Sequence, residues 1–234
     1  RNERAARRDT AVMTLPIIFD CDGVLIDSER LAMQAILAEL AVYGVVLDPD
    51  AAAKRFIGMT DKEIARVCAA ESGLEVPEGF PERVAERVLG LFAEELEPIA
   101  GARAFLESHE GPRAVASNSG QRRLEKSLSI VGLAPFFEAN CRVSHEMVVR
   151  PKPAPDIYLH AASLLAIAPQ DCWAVEDSVT GVTAAAGAGL HVIGFLGASG
   201  HAPDQAERLT AAGALGVVEG YGTLAAEIER LRKV

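Results

Sequence analysis

The sequence predicts an α/β fold on a mostly parallel sheet, interrupted after its first strand by an all-helical block. Three observations carry that prediction. Short apolar runs alternate with helical segments from residue 101 onward, and strands joined through helices imply right-handed crossovers that cover both sheet faces. Between Ser28 and Ile99 nothing reads as a strand. Polar clusters follow three of the apolar runs, at the carboxyl edge where open parallel sheets gather ligands.

Taken in order, residues 1–12 include four Arg and show no apolar periodicity, so they read as a disordered leader or an expression remnant ahead of Met13. Residues 15–19 are a buried strand: a short apolar run closed abruptly by a polar cluster and a glycine. A helix follows over 29–43, where Met33, Ile36, Leu37, Leu40 and Tyr43 recur at helical spacing and Gly44 stops it. Thr60-Asp61-Lys62-Glu63 has the form of a capping box opening a second helix, with Ile64, Val67 and Cys68 on its apolar face. Pro81 opens a third, carrying Val84, Val88, Leu91 and Phe92.

Beyond Gly101 the expected order is helix 102–109, strand 113–116, helix 121–131, strand 136–140, helix 155–166 and strand 172–175. Helix 179–188, strand 191–195, helix 204–212, a short strand 216–218 and a helix 223–232 complete it. The division is therefore a core of residues 13–27 and 100–234 around a helical block, 28–99.

Composition narrows the function classes. Of 234 residues, 23 are Lys or Arg and 33 are Asp or Glu, a net charge of −10 that disfavours nucleic acid or an anionic membrane as partner. No apolar stretch approaches the ~20 residues of a membrane span. The four cysteines form no Cys-x-x-Cys pair, which argues against a zinc site, and Cys21 and Cys172 lie in apolar runs as buried thiols. With no secretory signal, the cytoplasm is the expected compartment. A monomer is expected, and a dimer is also compatible.

The chemistry gathers at the strand ends. Asp20 and Asp22 are one residue apart where the first strand ends, and alternate residues of an extended segment face the same way. Two such anions repel unless a cation lies between them or one is protonated. Magnesium suits their hard oxygens and brings phosphates with it. Ser117-Asn118-Ser119-Gly120 follows the strand at 113–116, and Glu176-Asp177-Ser178 follows the strand at 172–175. In Arg150-Pro151-Lys152-Pro153-Ala154-Pro155-Asp156, three prolines stiffen a loop that presents Lys152. Each cluster has an ordinary role open to it, as turn, helix cap or solvated lysine. Together, acidic residues, a hydroxyl and a lysine on one edge make a phosphoryl site. Gly187-Ala188-Gly189 precedes a strand rather than following one, and Gly194 to Gly200 lacks the Gly-Lys-Ser/Thr of a P-loop, so both are structural. The five histidines lack metal-ligand spacing.

These clusters, in this order, resemble the haloacid dehalogenase superfamily of phosphotransferases over residues 14–234. Asp20-x-Asp22-Gly23-Val24 is similar to its first motif, Ser117 to its second, Lys152 to its third and Glu176-Asp177 to its fourth. The helical block resembles the cap of the branch with β-phosphoglucomutase and phosphoglycolate phosphatase. The resemblance implies a Rossmann-like, doubly wound core with an inserted α-helical cap, acting on a small phosphorylated metabolite. It implies that Asp20 attacks phosphorus while Asp22 serves as acid and then base. By the same resemblance Ser117 and Lys152 hold phosphoryl oxygens, with Asn118 beside them. Magnesium is held by Asp20, Asp177 and the main-chain carbonyl of Asp22, with Glu176 close by or ligating. Asp22 favours phosphate chemistry over dehalogenation, which has no leaving alcohol to protonate.

Between phosphatase and mutase, the positions that hold a His and a cap Arg in β-phosphoglucomutase hold Ala32 and, counting from Gly58, Asp61 here. A second phosphate clamp is then missing, although Lys54 and Arg55 could supply charge to a substrate. A phosphatase of sugar phosphates or sugar-acid phosphates is expected, with the mutase as alternative. A receiver-like phospho-Asp signalling module is the distant one, since receivers are about half this length and lack a helical lid.

Overall fold

Six short strands form one parallel sheet: β1 (Ile17–Phe19), β2 (Arg113–Ser117), β3 (Arg142–Ser144), β4 (Trp173–Glu176), β5 (His191–Phe195) and β6 (Gly216–Val218). Their order across the sheet is β3-β2-β1-β4-β5-β6, and every neighbouring pair is parallel. This computed structural model describes residues 14–56, 61–73, 75 and 78–233. The chain runs outward from β1 through β2 to β3, then crosses back to β4 on the other side of β1. The strand order therefore reverses at β1, which opens a crevice beyond its carboxyl end.

Alternation along the strands sorts the core into two layers. Ile17, Phe19, Val115, Trp173, Val175 and Ile193 face one apolar cluster, with Phe105 and Phe137 edge-on to Phe19 at 6.1 Å each. Ile18, Ala114, Ala116, Ala174 and Val192 face the other. Its many alanines let helices lie close against the sheet. The covering helices of the core are α5 (Ala102–Ser108), α6 (Gln121–Ile130), α7 (Asp156–Leu164), α8 (Val179–Gly187), α9 (Gln205–Ala212) and α10 (Tyr221–Leu231). They are numbered after the four helices of the block between Ser28 and Ile99.

Those four are α1 (Glu29–Val42), α2 (Pro49–Arg55), α3 (Asp61–Ser72) and α4 (Phe80–Glu95). No strand lies among their described residues. The chain enters and leaves the block side by side: Asp27 N–H donates to Glu97 O at 3.1 Å, and Ile99 N–H to Leu25 O at 3.0 Å. Val84, Val88 and Phe92 line the buried face of α4 at four-residue spacing. Phe92 is fully buried, a contribution of about 1.5–3 kcal/mol. A buried carboxylate joins α1 to α4: Glu39 accepts from Arg83 at 2.6 Å and Arg87 at 2.7 Å. Two guanidiniums supply the partners that a charge away from water requires.

The expected strand at 136–140 is corrected. Two 3₁₀ turns, Ala134–Phe136 and Ala139–Cys141, occupy that stretch, and the edge strand starts only at Arg142. Pro135, in the first turn, has no N–H to give a ladder. The carbonyls of Ala134 and Phe137 accept from Arg142 Nη2 instead, at 2.8 and 2.9 Å. Helix α2 was not expected, yet Asp48 caps it by accepting from Ala51 N–H at 2.8 Å with Pro49 in its first turn. The leader, the Thr60 capping box and Gly58 lie outside the described residues.

Candidate active site

Asp20 extends β1 by one rung, its N–H donating to Val175 O at 3.0 Å. The register pairs Phe19 with both Val175 and Val115. Glu176 thus comes level with Asp20, and Ser117 lies one residue beyond it on the other side. After Asp20 the chain turns tightly, since Leu25 and Ile26 N–H both donate to Cys21 O and Gly23 N–H donates to Ile26 O. Tyr221 Oη fixes the turn from α10 by donating to Val24 O at 2.9 Å.

Gly23 meets two requirements at once. Its φ is +79°, and a Cβ there would overlap the Asp177 carboxylate. Gly23→Ala is expected to cost about 1–2 kcal/mol from the left-handed backbone alone, and more because Asp177 must move. Urea unfolding of the variant checks this. Wild-type stability would show that the turn relaxes freely.

Three carboxylates, Asp20, Glu176 and Asp177, converge with ligand oxygens within 4.8 Å of one another, all buried. Lys152 Nζ lies between two of them, 2.6 Å from Asp20 Oδ1 and in a short contact with Glu176 Oε1. Glu176 also accepts from Tyr158 Oη and, at 3.2 Å, from Ser178 Oγ. Burial pushes the Asp20 carboxyl up to about 8 even against the pull of Lys152. Burial, with Asp20 and Glu176 adding to it, raises Asp177 well above the usual carboxylate range. For Lys152, burial opposes the charge, but Asp20 and Glu176 outweigh it and raise its pKa. Buried carboxylates that resist ionisation facing a single ammonium are the donor set a hard divalent cation suits.

Asp22 turns away from that cluster. Its Oδ1 accepts from Ser28 Oγ at 2.6 Å and Arg123 Nη2 at 2.8 Å. Its Oδ2 accepts from Ser119 Oγ at 2.8 Å, with Ser117 Oγ at 3.4 Å. Burial would raise its pKa, but Arg123 and the two serines outweigh it and hold the carboxyl below its usual value. Asp22 therefore offers the metal cluster no side-chain oxygen. Asn118 does not point to an open position either. Its amide clasps the Lys152 backbone, Nδ2 donating to Lys152 O at 3.2 Å and Oδ1 accepting from Lys152 N–H at 3.0 Å.

The structure thus brings Asp20, Asp22, Ser117, Asn118, Lys152, Glu176 and Asp177 to one edge. Arg55 is committed elsewhere, paired with Glu71 on α3 and lying over the Phe56 ring at 4.9 Å. The Lys54 side chain lies outside the described residues. Sequence reasoning passed over Arg123, Ser119, Ser28 and Tyr158. Ser119 and Ser28 stand inside stretches it singled out. Tyr158 sits two residues past Asp156, the end of the proline-rich loop. For Arg123 the sequence held no signal, because its partner lies 101 positions away.

With this geometry in hand, comparison with known proteins is direct. The family described as haloacid dehalogenase-like hydrolase matches residues 17–189. The chain is 32% identical over 180 residues to the 6-phosphogluconate phosphatase of Escherichia coli K12, covering 76% of this chain and 81% of that protein. It is 31% identical over 210 residues to a phosphorylated carbohydrates phosphatase of Thermotoga maritima, covering 87% and 93%. Among solved structures, a haloacid dehalogenase-like protein of Agrobacterium tumefaciens superposes with a TM-score of 0.82 at 36% identity, covering 94% of this chain and 99% of that one. Among the described residues no helix is long and apolar enough to cross a membrane.

Proposed function

We propose that this chain, which belongs to the haloacid dehalogenase-like hydrolases, is a magnesium-dependent phosphatase of small sugar phosphates or sugar-acid phosphates that works through an aspartyl-phosphate. The observation that carries the reading is the buried cluster of Asp20, Glu176, Asp177 and Lys152 with Asp22 two residues past Asp20. The phosphatase names of the relatives support the substrate class.

In this reading a carboxylate oxygen of Asp20 attacks phosphorus and the ester P–O bond breaks. Asp22, ionised beside Arg123 in the free site, takes up a proton as the phosphate dianion binds next to it, and gives that proton to the departing alkoxide. Water then attacks the phosphoaspartate, Asp22 takes the water's proton, and the bond from Asp20 to phosphorus breaks to release inorganic phosphate. Splitting one displacement into two is the gain of covalent catalysis, and one carboxyl serving as acid and then base follows from the two halves being mirror steps. Lys152 holds a phosphoryl oxygen while keeping Asp20 aimed, and Ser117 donates to another. Asn118 acts through Lys152 by holding its backbone. Magnesium, held by Asp20, Glu176 and Asp177 with the main-chain carbonyl of Asp22, would supply charge neutralisation at the phosphoryl oxygens, where most catalysis of this reaction lies. Residues 28–99 form the cap that excludes water over the crevice.

A phosphate-release assay tests the reading. Inorganic phosphate is expected from hexose phosphates, hexitol phosphates and phosphorylated sugar acids, lost on chelation and regained with magnesium. Conversion of β-glucose 1-phosphate to glucose 6-phosphate with a bisphosphate primer, in place of hydrolysis, would overturn it in favour of a mutase.

A further inference from the structure

Arg123 stands at a junction that the reaction as described leaves unused. It lies at the third position of α6, after the strand that carries Ser117. From there its Nη2 reaches Asp22 Oδ1 at 2.8 Å, and its guanidinium lies over the ring of Phe92 on α4 at 5.2 Å. Its neighbour Arg122 pairs with Glu86 on the same helix. The start of α6 therefore grips the cap helix at two points about two turns apart, and one of those grips also holds the acid/base carboxylate.

The hydrogen bonds on Asp22 divide its two oxygens by task. Oδ1 accepts from Ser28 at 2.6 Å and from Arg123 at 2.8 Å. Oδ2 faces Ser119 and Ser117, the serines of the phosphate-binding loop. A group that hands a proton to a leaving oxygen must present one oxygen in a fixed direction. Pinning Oδ1 is what aims Oδ2.

We infer that Arg123 is a positioning residue for the acid/base step, holding Asp22 Oδ1 from the core–cap seam so that Oδ2 is directed at the leaving group. The inference rests on the reading of Asp22 as the proton donor to the leaving alcohol. It assigns Arg123 a part in catalysis through orientation, with no contact to substrate required. The stacking on Phe92 gives the same guanidinium a fixed plane, so the aim of Asp22 depends on where the cap helix lies.

The test is a series of aryl phosphates from p-nitrophenyl to phenyl phosphate, similar in size and without hydroxyls for Arg123 to bind. kcat/KM reports only the steps up to phosphorylation of Asp20, which excludes the later hydrolysis. Poor leaving groups need protonation and good ones do not. Relative to wild type, the phenyl to p-nitrophenyl ratio of kcat/KM is expected to fall about tenfold or more in Arg123→Gln, since general acid catalysis contributes about 10²–10⁴-fold. Arg123→Lys, which keeps a cation within reach of Oδ1, should recover part of the ratio. Asp22→Asn is the control. If it leaves the ratio unchanged, the reading of Asp22 itself fails. If Asp22→Asn lowers the ratio and Arg123→Gln does not, the inference about Arg123 is overturned. A uniform loss over the whole series in both Arg123 variants also overturns it, because that is the mark of a merely structural arginine.

Discussion

Asp20→Asn is expected to reduce phosphate release by about 10⁴-fold or more, the scale on which loss of an attacking residue acts in covalent catalysis. An asparagine keeps the shape of the side chain, and its amide oxygen can still accept from Lys152 Nζ where Asp20 Oδ1 accepts now at 2.6 Å. The variant should therefore fold and bind phosphate esters, yet form no acyl phosphate. Steady-state phosphate release, with unfolding curves alongside, measures both. Turnover within about tenfold of wild type would remove Asp20 from the role of nucleophile.

Lys152→Met is expected to damage the fold as well as the reaction. The Lys152 side chain is 4% exposed, Asp20 10% and Glu176 0%. Taking away the cation leaves two largely buried carboxyl groups without their shared ammonium, and breaking a buried ion pair from one side costs about 3–5 kcal/mol. Methionine keeps much of the stem volume, so the loss reflects charge rather than a cavity. Magnesium should return part of the stability, because a cation again faces the cluster. Denaturant midpoints with and without magnesium decide the matter: a variant as stable as wild type in chelator would mean that the lysine is not what neutralises Asp20 and Glu176.

The sequence was most legible where a motif is short and covalent neighbours do the work. Asp20, Asp22 and Gly23 sit in one turn, and the clusters at Ser117 and Glu176 each end a strand, so pattern alone placed them on a common edge. It was least legible where partners are remote. Arg123 serves Asp22 from another element, and Tyr158 reaches Glu176 from α7. The phenylalanines at 136 and 137 looked like strand because aromatic runs favour sheets. There the local proline and the claims of Arg142 on two carbonyls won. A three-residue edge strand is too short for alternation to announce it. Helix α2 carried its signal in Asp48-Pro49, a cap followed by proline, but its single short stretch of alanines showed no apolar periodicity.

The four-helix block inserted after β1 has a consequence for how the chain is made. Synthesis delivers β1 first, yet its neighbours in the finished sheet, β2 and β4, come only after the whole helical block. Within that block α1 packs mainly on α4, a contact that closes a shorter stretch of chain than the pairing of β1 with β2 or β4, and shorter-range contacts form faster. On the ribosome the strand that ends in Asp20 thus waits, unpaired on both sides, while the part of the molecule that will cover it takes shape. An unpaired apolar edge is an invitation to wrong partners, and at three residues β1 offers little of one.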